Sequence, residues 1–218
     1  MSIAAYIEHT NLKPEATPAA IRRLCEEAQT YGFAAVCVNS SYVSLAKAAL
    51  AGTTVLISSV IGFPLGAMAS AAKAQETALA IADGADEIDM VLSIGRAKAG
   101  DWDYVEADIR QVVDSASGHP VKVILETGLL TDEEKVKACQ AAVASGAAYV
   151  KTSTGFGHGG ATVADVALMR EAVCGQAKIK ASGGIRDYET AKALIAAGAN
   201  RIGASAGITI VAGENNDR

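Results

Sequence analysis

Apolar residues recur along this chain with two periods. Sets such as Ile21, Leu24, Cys25 and Ala28, spaced by three and four, predict one buried helix face. Between such sets lie short apolar runs of strand length. Together they make a recurring unit: an amphipathic helix closes on a glycine, and a strand follows within a few residues. The unit appears as YGFAAVCV (31–38), AGTTVLISSV (51–60), DGADEIDMV (83–91), SGAAYVKTS (145–153) and AGANRIGAS (197–205). Glycine just past a helix accepts the left-handed conformation without a Cβ clash, so it serves there as a stop signal. Start signals are present too. Thr17 precedes Pro18 as an N-cap before a first-turn proline, Thr131 and Glu134 have capping-box spacing, and Asp187 stands where it can cap the helix carrying Ala191, Leu194 and Ile195.

Eight strands are predicted, at Tyr6–Asn11, Ala34–Val38, Val55–Ile61, Glu87–Leu92, Val121–Glu126, Tyr149–Ser153, Lys178–Ser182 and Arg201–Ser205. Strand and helix alternate, connections are short, and no Pro/Ser-rich linker or charge run divides the chain. A single (β/α)8 TIM barrel spanning residues 1–218 is the economical α/β solution, with a doubly wound open sheet as the alternative. Against the sheet, no G-x-G-x-x-G follows the first strand and no P-loop is present.

Composition narrows the class. Of the 218 residues, 50% are hydrophobic but only 5% aromatic, so a core must be built from Ala, Val, Ile and Leu, as in helix-covered parallel sheets. Net charge is −5 and the basic residues are scattered, which argues against a nucleic-acid partner. The four cysteines, Cys25, Cys37, Cys139 and Cys174, form no C-x-x-C pair and read as reduced thiols. No basic segment leads into an apolar one at the N-terminus, and no apolar run spans a bilayer, so the expectation is a cytosolic protein with no membrane partner. A homo-oligomer is compatible with this.

In such a barrel the chemistry sits at the C-terminal ends of the strands. The polar residues there are His9 and Thr10, Asn39, Glu87 and Asp89, Glu126 and Thr127, Lys151 to Thr154, Lys180 and Ser182, and Ser205. Lys151 in YVKTSTG and Lys180 in KIKASGG end adjacent strands. Each could reach solvent or pair with Glu126 or Asp89. Two ammonium groups in one narrow mouth are costly, however, and that cost suits a lysine that must act as a free amine. An ordinary lysine with pKa about 10.4 is neutral only about once in 2,500 at pH 7, so lowering the value exposes a nucleophile that attacks carbonyls. Asp89 could shuttle the protons such chemistry needs or merely neutralise a lysine; Glu87 shares its strand face and competes for the role.

A second group is glycine-rich. Gly155 follows KTST, Gly183 and Gly184 follow KAS, and RIGASAG contributes Gly203 and Ser205. Loops after the seventh and eighth strands commonly hold a phosphate by backbone N–H groups, and Arg186 could add a contact. No metal is expected, since His9, His119 and His158 are far apart in sequence, and Cys37 reads as a packed small hydrophobe.

EHTNLKP (8–14), VCVNSSYV (36–43), VIGFPLG (60–66), GADEIDMV (84–91), VKVILETG (121–128), YVKTSTGFGHGGAT (149–162), IKASGGIR (179–186) and RIGASAG (201–207) resemble, in order and spacing, the deoxyribose-phosphate aldolase family. The resemblance implies a (β/α)8 class I aldolase that interconverts 2-deoxy-D-ribose 5-phosphate with acetaldehyde and D-glyceraldehyde 3-phosphate, in nucleoside catabolism, without metal or organic cofactor. It implies that Lys151 forms the Schiff base, that Lys180 is the second lysine that perturbs it and moves protons, and that Asp89 is the proton-relay acid. Two features depart from the family pattern. Glu8-His9-Thr10 stands where Asp-His-Thr is common, with Asn11 where an apolar residue is usual, and the chain ends in a short polar tail, Asn216-Asp217-Arg218.

Overall fold

A computed structural model of the protein describes residues 2–157 and 159–216; His158 and the tail residues Asp217 and Arg218 lie outside the described residues. Eight strands, β1 (Ile7–Thr10), β2 (Ala35–Asn39), β3 (Leu56–Ile61), β4 (Glu87–Val91), β5 (Val121–Ile124), β6 (Tyr149–Lys151), β7 (Lys178–Ser182) and β8 (Arg201–Ala204), pair in sequence order and close into one parallel barrel. Closure is made by β8 on β1, with Gly203 opposite Glu8. A closed barrel excludes the open-sheet alternative.

Helices α1 (Pro18–Tyr31), α2 (Val43–Ala49), α3 (Ser70–Ala82), α4 (Ile94–Lys98), α5 (Trp102–Ser115), α6 (Asp132–Ala144), α7 (Val163–Val173) and α8 (Tyr188–Ala197) connect the strands, and α9 (Gly207–Asn216) follows β8. The local signals act as their chemistry dictates. The Thr17 hydroxyl accepts from Ala20 N, and α1 buries Ile21, Leu24, Cys25 and Ala28 before Gly32 stops it at φ 66°. Thr131 and Glu134 form both halves of a capping box at α6, and Asp187 accepts from Thr190 N at 2.8 Å at α8. The sequence pattern runs β5 to Glu126, but the strand ends at Ile124 because Glu126 itself turns into the left-handed region at φ 57°. It likewise overruns β6, which leaves the ladder after Lys151. The short α4 is a further element beyond the predicted pattern.

Outward strand residues such as Val36, Val38, Ile88, Met90, Val123, Val150, Ile179 and Ile202 pack beneath the helices in one continuous core. Beside that core lies a buried ion pair. Lys73 Nζ on α3 donates to Asp108 Oδ2 on α5 at 2.6 Å and to the carbonyl of Val91, at the end of β4, at 3.0 Å. Both side chains are 1% exposed or less, so neither charge has water as a fallback. Among the described residues, no helix is long and apolar enough to cross a membrane.

Removing one member of a buried pair strands the other, which costs more than the pair is worth. Lys73→Ala is therefore expected to lower the unfolding free energy by about 3–5 kcal/mol. The double change Lys73→Met with Asp108→Leu should cost much less than the two single costs combined. Urea unfolding of the three variants decides the matter, and simple additivity would refute the coupling.

Candidate active site

Alternation along a strand turns every second residue toward the barrel axis. Here that inner surface is charged. Glu8 on β1 and Glu87 and Asp89 on β4 bring carboxylates; Lys122, Lys151, Lys180 and Arg201 on β5 to β8 bring cations. Lys151 and Lys180 are direct register partners on adjacent strands.

Asp89 is the hub. Its Oδ2 accepts from Lys151 Nζ and from Lys180 Nζ, each at 2.7 Å. Its Oδ1 accepts from Ser58 Oγ at 2.8 Å and from Lys122 Nζ at 3.0 Å. Lys180 Nζ also donates to Glu8. Lys122 lies 2.6 Å from Glu87 and 3.6 Å from Glu8, and Arg201 reaches Glu87 at 3.7 Å. Glu8, Asp89, Lys122 and Lys180 are entirely buried. Each ion left alone there would cost several kcal/mol of desolvation, so they are held only as a set.

The set fixes the charge states of its members. Burial works against ionised Asp89, but Lys122, Lys151 and Lys180 outweigh it and hold the carboxyl well below the usual aspartate range. Glu8 is lowered in the same way, burial being overcome by Lys122 and Lys180. Burial also opposes the Lys180 ammonium, yet Asp89 and Glu8 overcome it and raise its pKa above that of an ordinary lysine. Lys122 is raised by Asp89, Glu8 and Glu87 against the same opposition. The sequence left Lys151 and Lys180 either repelling each other or pairing with Glu126 or Asp89; the fold pairs both with Asp89.

A cavity of about 660 Å³ opens over this network. Of the charged groups in the network, Lys151 is the one that lines it among the described residues. Gly155, Gly183, Gly184, Gly203, Ser205 and Arg186 line it as well, so the loops after β6, β7 and β8 converge on it. Gly183 and Gly184 both hold positive φ, at 91° and 77°. The β6 and β7 loops interlock tightly: a Cβ on Gly160 would fall 2.4 Å from the carbonyl oxygen of Gly183. Gly203 has a second use, because a Cβ there would come within 3.0 Å of Lys180 Cε. Its lack of a side chain gives that lysine room inside the barrel.

The opposite wall of the cavity comes from β1 and α1. His9 Nε2 lies 2.7 Å from Glu27 Oε2, and Arg23 Nε donates to Glu27 Oε1 at 2.8 Å. His119 is elsewhere, with Nδ1 3.2 Å from the carbonyl of Asp86. Cys37 is buried, and burial pushes its thiol pKa up.

Lys122 and the ion-pairing role of Glu8 escaped the sequence reading. Lys122 carried a legible signal, since it stands between Val121 and Val123 in an apolar strand and alternation aims it inward. Glu8 carried none; its partner Lys180 is 172 positions away. Nor did the sequence single out Glu27 or Arg23.

These shifts set an expected pH profile. Unfolded Asp89 and Glu8 titrate near 3.8 and 4.5, and the folded values are lower, so their stabilisation is full above those values and lost as pH falls through the folded ones. Lys122 and Lys180 act oppositely: their stabilisation is full below 10.5 and lost as pH rises through the raised folded values. In urea titrations, Glu8→Gln should therefore lose stability less steeply than the parent protein below about pH 4.5. Equal slopes would contradict the assignment.

The model of the DeoC/LacD family aldolases matches residues 4–213 of this chain. The chain is 58% identical over 214 residues to the deoxyribose-phosphate aldolase of Macrococcus caseolyticus, covering 98% of this chain and 97% of that one. It is 56% identical to the deoxyribose-phosphate aldolase of Streptococcus mutans, covering 100% and 99%. Among solved structures, it superposes on the deoxyribose phosphate aldolase of Aeropyrum pernix, described as a unique tetramer, with a TM-score of 0.92 at 30% identity, covering 99% and 92%.

Proposed function

We propose that this chain, which belongs to the DeoC/LacD family of aldolases, interconverts 2-deoxy-D-ribose 5-phosphate with acetaldehyde and D-glyceraldehyde 3-phosphate through a Schiff base on Lys151. It is a class I aldolase and a lyase. The reading assigns residues 1–218 to one domain, places the enzyme in the cytosol, and is compatible with a homo-oligomer, such as the tetramer of the Aeropyrum pernix relative. The observation that supports Lys151 over the other lysines is its position: of the three lysines bonded to Asp89, it alone lines the cavity.

As a free amine, Lys151 Nζ attacks the carbonyl carbon of acetaldehyde; the C–N bond forms and the carbonyl electron pair moves to oxygen, which takes a proton. The resulting carbinolamine loses water to give the iminium. Loss of a proton from its methyl carbon gives the enamine, whose carbon attacks the aldehyde carbon of glyceraldehyde 3-phosphate while that oxygen is protonated. Water then hydrolyses the new iminium and frees the lysine. Every step moves a proton, and Asp89 Oδ2, in contact with Lys151 and Lys180 together, offers the path. Lys180, kept charged by Asp89 and Glu8, is the adjoining proton donor. The phosphate rests on the loops of Gly155, Gly183, Gly184, Gly203 and Ser205, where successive glycine N–H groups at positive φ can converge on an anion.

Incubation with acetaldehyde and borohydride, followed by peptide mass spectrometry, is expected to find an ethyl adduct confined to Lys151. An adduct on Lys180, or none, would overturn the assignment. Lys151→Leu should abolish turnover. Asp89→Asn should lower kcat by about 100-fold or more while changing KM for the sugar phosphate little, and an unchanged kcat would remove Asp89 from the proton path.

A further inference from the structure

Glu126 is one of three non-glycine residues at positive φ among the described residues, and of those three it alone stands at the C-terminal end of a barrel strand. L-residues rarely hold this conformation, and it persists only where surrounding contacts demand it. Here the contacts are specific. The buried carboxylate of Glu126 accepts through Oε2 from the Thr154 hydroxyl and from Thr154 N at 3.3 Å. The same hydroxyl oxygen accepts from Phe156 N at 3.0 Å. Gly157 passes directly over the carboxylate, where a Cβ would approach it to 3.1 Å. One acidic side chain thus holds the first turn of the β6–α7 loop, and Gly155 lies inside that turn.

The other side of the loop is fastened to β7. Thr152 Oγ1 donates to Ser182 O at 2.9 Å and accepts from Ser182 N at 3.0 Å, while Ser182 Oγ donates to Ser153 O at 2.5 Å. Glu126 therefore supplies the β5 anchor of a segment whose β7 anchor is already made. Between the anchors, Gly155 faces Gly183 across the cavity wall.

We infer that Glu126 is a positioning residue that sets the β6–α7 loop, through Thr154, in the geometry that receives the substrate's phosphate. The strained backbone at Glu126 aims its carboxylate up into the loop. A relaxed extended residue at this point would continue the β5 ladder and turn the side chain along the barrel wall. The inference rests on the proposed aldolase reaction, because it concerns the phosphate end of that same site.

The test compares 2-deoxyribose 5-phosphate with 2-deoxyribose, which has the reacting carbons and no phosphate. Glu126→Ala should raise KM for the phosphorylated sugar about tenfold with at most about a threefold fall in kcat, and its kcat/KM loss should exceed that for 2-deoxyribose by about tenfold. Glu126→Gln, which keeps an oxygen to accept from Thr154, should recover most of the loss. Equal losses on both sugars would mean a general scaffold role and overturn the inference, as would an unchanged KM. Should Glu126→Ala fail to fold, Thr154→Val removes the other half of the same junction and is expected to show the same split between the sugars. Two controls separate this inference from the reaction beneath it. Trapping of acetaldehyde on Lys151 in the parent protein tests the reaction, and calorimetric titration with inorganic phosphate tests the loop. Weaker phosphate binding in Glu126→Ala is expected whether or not the adduct forms, and unaltered binding would sink the proposal.

Discussion

Asp89 gathers three lysine side chains on a single carboxylate, and much of the barrel is arranged around that fact. Its four hydrogen-bond donors come from β3, β5, β6 and β7, so the contact exists only when the strands are in one register. A slip of one residue on any of those strands would turn the donor to the opposite face and leave ions buried without partners. The network thereby specifies the register. Glu8 performs the closing contact, because its bond to Lys180 spans the seam where β8 meets β1.

The two surfaces of each strand face opposite demands. Outward residues are small and aliphatic and seat the helices. The charged inward residues are long, and Gly203, where a Cβ would come within 3.0 Å of Lys180 Cε, leaves one of them room. Lysine suits this setting for a physical reason: its methylene stem fills the narrow interior while its ammonium travels to the shared carboxylate. The cost is that charge is pinned. Lys122 and Lys180 are held as ammonium ions by the carboxylates around them, and Lys151 is the member with open space beside it.

The cavity divides by chemistry. At its floor lie the ions that would move protons; at its rim lie the loops after β6, β7 and β8, which offer backbone N–H groups and glycine in place of side chains. Under the proposed reaction, that arrangement would separate the groups that hold the phosphate from those that react with the carbonyl. Glu126 and the Thr152–Ser182 pair join them, since the loop they fasten begins one residue after Lys151. The opposite wall is built by His9 on β1 and by Arg23 and Glu27 on α1, a helix whose other face is core.

Much of the architecture was legible in the sequence because it is encoded locally. Thr17, Thr131 and Asp187 cap helices through atoms two or three residues away, and the glycine at 32 ends a helix by its own conformational freedom. Helical spacings of three and four and short apolar runs needed nothing distant to be recognised, and eight strands in alternation with helices left few folds to choose from. Lys151 and Lys180 stood out because they end adjacent strands, whereas Asp89 was separated from Glu87 only by the resemblance to the family. What the tertiary structure alone decided is which of these charges share an oxygen. Lys122 as a third lysine on Asp89, Glu8 holding Lys180, Glu126 turned left-handed beneath Thr154, and Lys73 buried against Asp108 all depend on groups separated by 28 to 172 positions. Those partnerships are set by strand register and barrel closure, which the chain acquires only on folding; the sequence specifies each side chain and the face it occupies, and the closed barrel determines what it meets.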